Sequence, residues 1–113
     1  MHELSLTQNL IELAEEHARR AGASAIKSIT VKIGALSGVI PEAMEFAFDV
    51  CCQGTLAQGA TLGILHVPAI GRCRQCTTES SMTSLIDSCP ECGGFVLDIL
   101  QGQEMALTEL EID

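Results

Sequence analysis

The sequence predicts an α/β (α+β) fold: a small mixed sheet of about three strands with two helices, plus an inserted four-cysteine zinc-ribbon-like module. Three observations predict it. Apolar residues recur at helical spacing over residues 5–21 and again after Pro41. Strand-like alternation marks residues 26–34, 61–67 and 105–112. Between the last two strands lie Cys73-Arg74-Gln75-Cys76 and, twelve residues on, Cys89-Pro90-Glu91-Cys92.

Taken in order, residues 5–21 place Leu6, Leu10, Leu13, Ala14, His17, Ala18 and Ala21 on one helical side. Ser5 with Gln8 has the form of a capping box. Gly22 closes the helix, and Arg19 and Arg20 suit its negative end. In residues 26–34, Ile29, Val31 and Ile33 alternate with Ser28, Thr30 and Lys32. Pro41 suits the first turn of a second helix, where its missing N–H costs nothing. Met44, Phe48 and Cys51 form that helix's apolar side, widened by Phe46, Ala47 and Val50, and Gly54 ends it. Residues 61–67 read as a strand closed by Pro68, Phe95 to Leu100 alternates weakly, and Met105 to Ile112 reads as the last strand. The expected units are residues 1–69 with 97–113 as an α/β domain, and 70–96 as a metal module.

The module's spacing has a mechanical reason. Two residues between sulfurs let one tight turn aim both at the same ion, and four Cys sulfurs suit tetrahedral Zn²⁺. Pro90 presets the second turn, and Gly93 and Gly94 are expected to supply the positive φ it needs. The alternatives are ordinary thiols or two disulfides. So small a piece needs a staple, which a metal supplies.

Composition narrows the function. Of 113 residues, 47% are hydrophobic but only 3% aromatic, so the core must be aliphatic. Net charge is −9, from 15 acidic and 6 basic residues, which opposes a phosphate-tracking surface. No stretch reads as a signal peptide or membrane span, and with six Cys the expected compartment is the reducing cytoplasm. No catalytic triad, phosphate loop or carboxylate pair stands out, so the expectation is not an enzyme.

Three further groups carry donor chemistry. Met1-His2-Glu3 offers an amine, backbone amides and an imidazole, a nitrogen-rich set of the kind that suits square-planar Ni(II) or Cu(II). A His at position 2 is more often simply solvated. His17 and His66 read as structural. Cys51 and Cys52 are adjacent and point apart, so they read as packing.

Met1-His2-Glu3-Leu4-Ser5, Lys32-Ile33-Gly34-Ala35-Leu36-Ser37, Pro41-Glu42 with Phe46-Ala47-Phe48, the double Cys pair and the closing Glu109-Leu110-Glu111-Ile112 together resemble the HypA/HybF family. Its members are nickel metallochaperones of hydrogenase maturation. The resemblance covers essentially the whole chain. It implies an N-terminal nickel site at Met1, His2 and Glu3, with Ni²⁺ as cargo, and a structural Zn²⁺ on Cys73, Cys76, Cys89 and Cys92. The partners it implies are the HypB GTPase, the hydrogenase large-subunit precursor and, in some relatives, urease maturation proteins. A homodimer is left open. Several relatives carry a His directly after a zinc Cys pair. Thr77 and Gly93 stand there here, so a Cys-for-His exchange at zinc is not implied. Two other classes compete: a zinc-ribbon module for protein or nucleic-acid interaction, and a rubredoxin-like electron carrier with iron on four thiolates.

Overall fold

The computed structural model describes residues 2–94 and 97–113, with the backbone alone for His2. Among the described residues eight elements follow in chain order: α1 (His2–Arg20), β1 (Ile26–Gly34), α2 (Pro41–Cys51), β2 (Thr61–Val67), β3 (Ile70–Cys73), β4 (Glu79–Ser81), β5 (Leu97–Gln101) and β6 (Met105–Ile112). They form two three-stranded sheets, β2-β1-β6 and β4-β3-β5.

The first sheet is mixed. β1 runs parallel to β2, with α2 in the crossover, and antiparallel to β6. Ile29, Val31 and Ile33 alternate, so all three reach one face, and all three are buried. Their sheet partners Leu62, Ile64, Leu107 and Leu110 extend that face on both sides. Leu10, Ile11, Ala14 and Ala18 of α1 and Met44 and Phe48 of α2 cover it. Apart from Phe48 the core is aliphatic, as the composition requires.

Several expectations shift. α1 begins at His2, not at residue 5, so Ser5 is an exposed residue inside the helix. Thr7 binds back to the Glu3 carbonyl at 2.6 Å, which ties the extra turn down. The buried stripe of α1 is Thr7, Leu10, Ile11, Ala14 and Ala18, while Leu13 and His17 face solvent. On α2, Phe46 is 79% exposed and Val50 55%, because Met44, Ala47 and Phe48 already fill the core-facing side.

The second sheet is antiparallel and carries the cysteines. β3 pairs β4 on one edge and β5 on the other. Sheet pairing therefore places Leu97–Gln101 with the metal module, although the sequence reading grouped it with residues 1–69. Leu97–Gln101 pairs with the edge of β3 that β4 leaves open. Of the weak alternation from Phe95, the first two residues lie outside the described residues.

The sheets meet through a tight backbone joint. Ala35 N–H bonds the Val67 carbonyl at 2.9 Å, and Leu36 N–H the Gly102 carbonyl at 2.7 Å. Gly102 has φ 114°, and a Cβ there would lie 2.5 Å from the Ala69 Cα. A Cβ on Gly34 would run into the Gly102 carbonyl. Both positions thus require glycine on grounds of space, and Gly102 on conformation too.

Candidate metal centre

Each cysteine pair folds into the same short loop. Thr77 N–H bonds the Cys73 carbonyl at 2.9 Å, and Gly93 N–H bonds the Cys89 carbonyl at 2.8 Å. Cys73 N–H returns to the Thr78 carbonyl at 3.0 Å, and Cys89 N–H to the Gly94 carbonyl at 2.7 Å. The residue after each second cysteine is left-handed: Thr77 at φ 63°, Gly93 at φ 75°. The turn thus needs one positive φ per pair. Gly94 serves space instead, since a Cβ would meet Gln75 Oε1 at 2.9 Å. Thr77 escapes sequence reasoning because a β-branched residue is among the least expected there. Only its matching place after the second cysteine points to it.

The two loops face each other. Cys73 Sγ lies 3.4 Å from Cys92 Sγ, and Cys76 Sγ 3.6 Å from Cys89 Sγ. All four sulfurs lie within 4.8 Å of one another. A disulfide needs about 2.05 Å between sulfurs, so these are thiols. A tetrahedron with metal–sulfur bonds near 2.3 Å has edges of about 3.8 Å, close to the separations found. The donor set therefore fits one tetrahedral thiophilic ion. Cys73 and Cys89 are buried, while Cys76 and Cys92 are more open.

Local hydrogen bonds divide the protons unevenly. The Thr78 hydroxyl, 3.3 Å from Cys76 Sγ, and the Thr78 backbone N–H hold the Cys76 thiol down to about 6. Backbone N–H groups of Cys76 and Gln75 lower Cys73 as well. At Cys92 the Gly94 N–H also favours the thiolate. The neighbouring sulfurs, Cys73 first, together with burial, outweigh it and push Cys92 up to about 12. Four negative sulfurs this close repel, and a divalent cation removes that conflict by taking all four as thiolates.

The rest of the module argues against a nucleic-acid surface. The two arginines beside the first cysteine pair each face a carboxylate: Arg72 pairs Glu79 at 2.9 Å and Arg74 pairs Asp98 at 2.6 Å.

The N-terminal donors lie in the other unit. Met1 and the His2 side chain are outside the described residues. Glu3 sits in the first turn of α1, and its carboxylate accepts the Ile40 N–H, at 3.3 Å, just ahead of α2. Amides in a helix's first turn have no intrahelical acceptor. His17 lies near the far end of α1, and His66 lies on β2. Cys52 is buried in the core, and burial, with the Cys51 and Asp49 charges, pushes its thiol up to about 11. That is an inert packing thiol.

The family model described as "Hydrogenase/urease nickel incorporation, metallochaperone, hypA" matches residues 1–112. Hydrogenase maturation factor HypA of Trichodesmium erythraeum is 45% identical over 113 residues, covering 100% of this chain and 96% of that protein. Its counterpart in Geotalea uraniireducens is 42% identical, with 100% of both covered. The solution structure of the Ni metallochaperone HypA from Helicobacter pylori matches with a TM-score of 0.68 at 28% identity, covering 97% of this chain and 96% of that one. Another HypA solution structure matches at 0.70 and 31% identity, covering 99% and 96%.

Proposed function

The chain belongs to the HypA family of nickel-incorporation metallochaperones, and from that premise we propose that it carries Ni(II) at its N-terminus and helps insert it into the hydrogenase large subunit. In this reading Met1, His2 and Glu3 hold nickel, and Cys73, Cys76, Cys89 and Cys92 hold a structural Zn²⁺. The HypB GTPase and the large-subunit precursor are the proposed partners, with urease maturation proteins as a further destination. The chemistry is ligand exchange without covalent change in a substrate, so the protein acts as a carrier rather than an enzyme.

One observation carries the reading: Glu3 and the His2 backbone form the first turn of α1. Amides of a helix's first turn have no intrahelical acceptor, so ligation through backbone nitrogen there would cost the helix ladder no hydrogen bond. An amine, such amides and an imidazole make a planar nitrogen set suited to Ni(II). Every such ligand must shed a proton to bind, which keeps the ion exchangeable. The four thiolates do the opposite. They enclose zinc completely, and zinc then holds the shape of a module too small to be stable alone.

The test is paired calorimetry and elemental analysis on chain with its native start. His2→Ala should abolish tight nickel binding and leave one zinc per chain. Cys89→Ser should lose zinc while His2-dependent nickel binding persists. Unchanged nickel affinity in His2→Ala would end the N-terminal assignment.

A further inference from the structure

We propose that the groove between α1 and the free edge of β6 receives an extended strand of a partner protein, one whose side chains alternate apolar and basic. The inference is independent of where nickel is held.

The sequence places Leu6, Leu10, Leu13 and His17 on one side of a helix. The core takes only part of that side. Leu10 is buried and Leu6 half-buried, while Leu13 is 43% exposed and His17 faces solvent. The flank left over stands above β6. Leu6, Leu10 and Leu13 line a cavity of about 400 Å³ with Met105 and Leu107, and Asn9 is its only polar side chain among the described residues. His17 and Leu110 line a second cavity of about 340 Å³, and Leu107 belongs to both. The two cavities therefore adjoin and form one groove along the strand.

The floor of that groove is a sheet edge. β6 is the outer strand of β2-β1-β6, and among the described residues no other strand bonds its outer side. The ladder says which groups point outward. Gly34 N–H bonds the Glu104 carbonyl at 2.7 Å, and the pairs that follow are Ile33–Met105, Lys32–Ala106 and Val31–Leu107. Antiparallel pairs alternate between bonded and non-bonded, so Lys32–Ala106 is bonded and the other two are not. Met105 and Leu107 thus turn N–H and C=O away from β1, while their side chains pack against the core. Exposed edges are commonly guarded by charge or Pro, and Met105-Ala106-Leu107 carries neither. Unpaired backbone beside pockets for alternate side chains is the arrangement by which an extended peptide adds to a sheet.

Charge selects the occupant. Past the register shift at Thr108, Glu109 and Glu111 pair Thr30 and Ser28 on the face away from the helices, and both are exposed. β6 carries no cation. A strand laid beside it meets apolar pockets on the helix side and carboxylates on the other. Opposite charges across neighbouring strands attract and like charges repel. A second copy would bring its own Glu109 and Glu111 and a net charge of −9 to that edge. A segment alternating apolar side chains with Lys or Arg fits both faces.

The experiment titrates isotope-labelled, zinc-loaded, full-length chain with a capped eight-residue peptide of alternating valine and lysine. NMR should show the Met105 and Leu107 amides shifting together, and their exchange with solvent slowing, as the peptide saturates. The same peptide with glutamate for lysine should bind at least about tenfold more weakly, because its charges face Glu109 and Glu111. Leu13→Gln, a change at an exposed position that leaves net charge alone, should weaken the valine–lysine peptide by about tenfold, since an apolar wall of the groove is lost. Methylating one alternate set of peptide amides should abolish binding, and methylating the other set should be tolerated. If both methylated peptides bind like the parent, no strand is added and the proposal fails, whatever becomes of the Leu13 variant. Protection that falls on β2 instead of Met105 and Leu107 overturns it as well. So does protection of those two amides that rises with protein concentration before any peptide is added, which would make the occupant a second copy.

Discussion

At the scale of single residues, Thr77 and Gly93 occupy the same place in two copies of one loop. Both are left-handed, and only one is glycine. A β-branched side chain in that region is strained, by roughly 1–2 kcal/mol for an ordinary L-residue. Thr77→Gly should remove that strain and stabilise the folded module by about 1 kcal/mol, net of glycine's greater freedom when unfolded. Thermal unfolding of the zinc-loaded variant checks this, and a lower Tm would show that the Thr77 side chain contributes more than its backbone costs. The four cysteines and Gly93 were legible in the sequence because spacing and turn chemistry both announce them. Thr77 was not, because its conformation is imposed by the backbone hydrogen bonds that close the loop around it, from Thr77 N–H to the Cys73 carbonyl and from Cys73 N–H to the Thr78 carbonyl.

Carboxylates give a second residue-scale prediction. Thr83 N–H and the Ser84 hydroxyl hold Asp87 below the ordinary carboxylate range, the N–H at 2.6 Å and the hydroxyl at 2.8 Å. Asp113 is likewise lowered, first by the Ser24 hydroxyl and then by the Ser24 and Ala25 N–H groups. A depressed folded value means that the stabilisation is fully present above the unfolded value, near 3.9, and is lost as pH falls through the folded one. Stability should therefore be flat with respect to these groups from neutral pH to about 5 and fall below about 4. Asp113→Asn should flatten that acid limb in denaturant titrations. A limb as steep as in the wild type would mean that other carboxylates set it.

At the scale of elements, the core was legible and the edges were not. Ile29, Val31 and Ile33 announced β1 by alternation, and all three are buried. The start of α1 was misplaced because Ser5 and Gln8 imitate a capping box, whereas the Thr7 hydroxyl binding Glu3 carries the helix back to His2. The partner of β5 could not be read, since a strand's own residues do not say which edge is open. The joint near Gly34 and Gly102 was equally silent, because close backbone approach depends on residues far apart in sequence. It yields a sharp prediction. Gly34→Ala should destabilise the first unit by about 2–3 kcal/mol, the upper range for single substitutions, since the obstacle is backbone. Gly38→Ala is the fitting contrast: a Cβ there meets nothing within 4 Å, so only the positive φ opposes it. Chemical denaturation of both variants should rank them in that order, and equal losses would contradict the crowding argument.

At the scale of the whole molecule, the chain is long and thin, with extents of 54 × 27 × 16 Å and a radius of gyration of 17.4 Å. A compact chain of this length would have about 13 Å. Two sheets set end to end account for the difference, and the cysteine spacing foretold the second unit. Removing the proposed zinc should therefore act locally. A chelator should raise amide exchange across β3, β4 and β5 while β1 and α1 stay protected, because their core includes none of the four clustered sulfurs. Loss of protection in β1 at the same chelator concentration would show that the joint couples the units tightly.

In the proposed function, nickel is held by the chain's own beginning. The most direct measurement compares nickel affinity at neutral pH between protein that starts at Met1 and protein with a few residues added ahead of it. The extension removes the free amine and leaves His2, Glu3 and all four clustered cysteines in place. Nickel should bind markedly more weakly, and zinc equally, in the extended form. Equal nickel affinity in the two forms would contradict this assignment, and the ion would then have to be held by side chains alone.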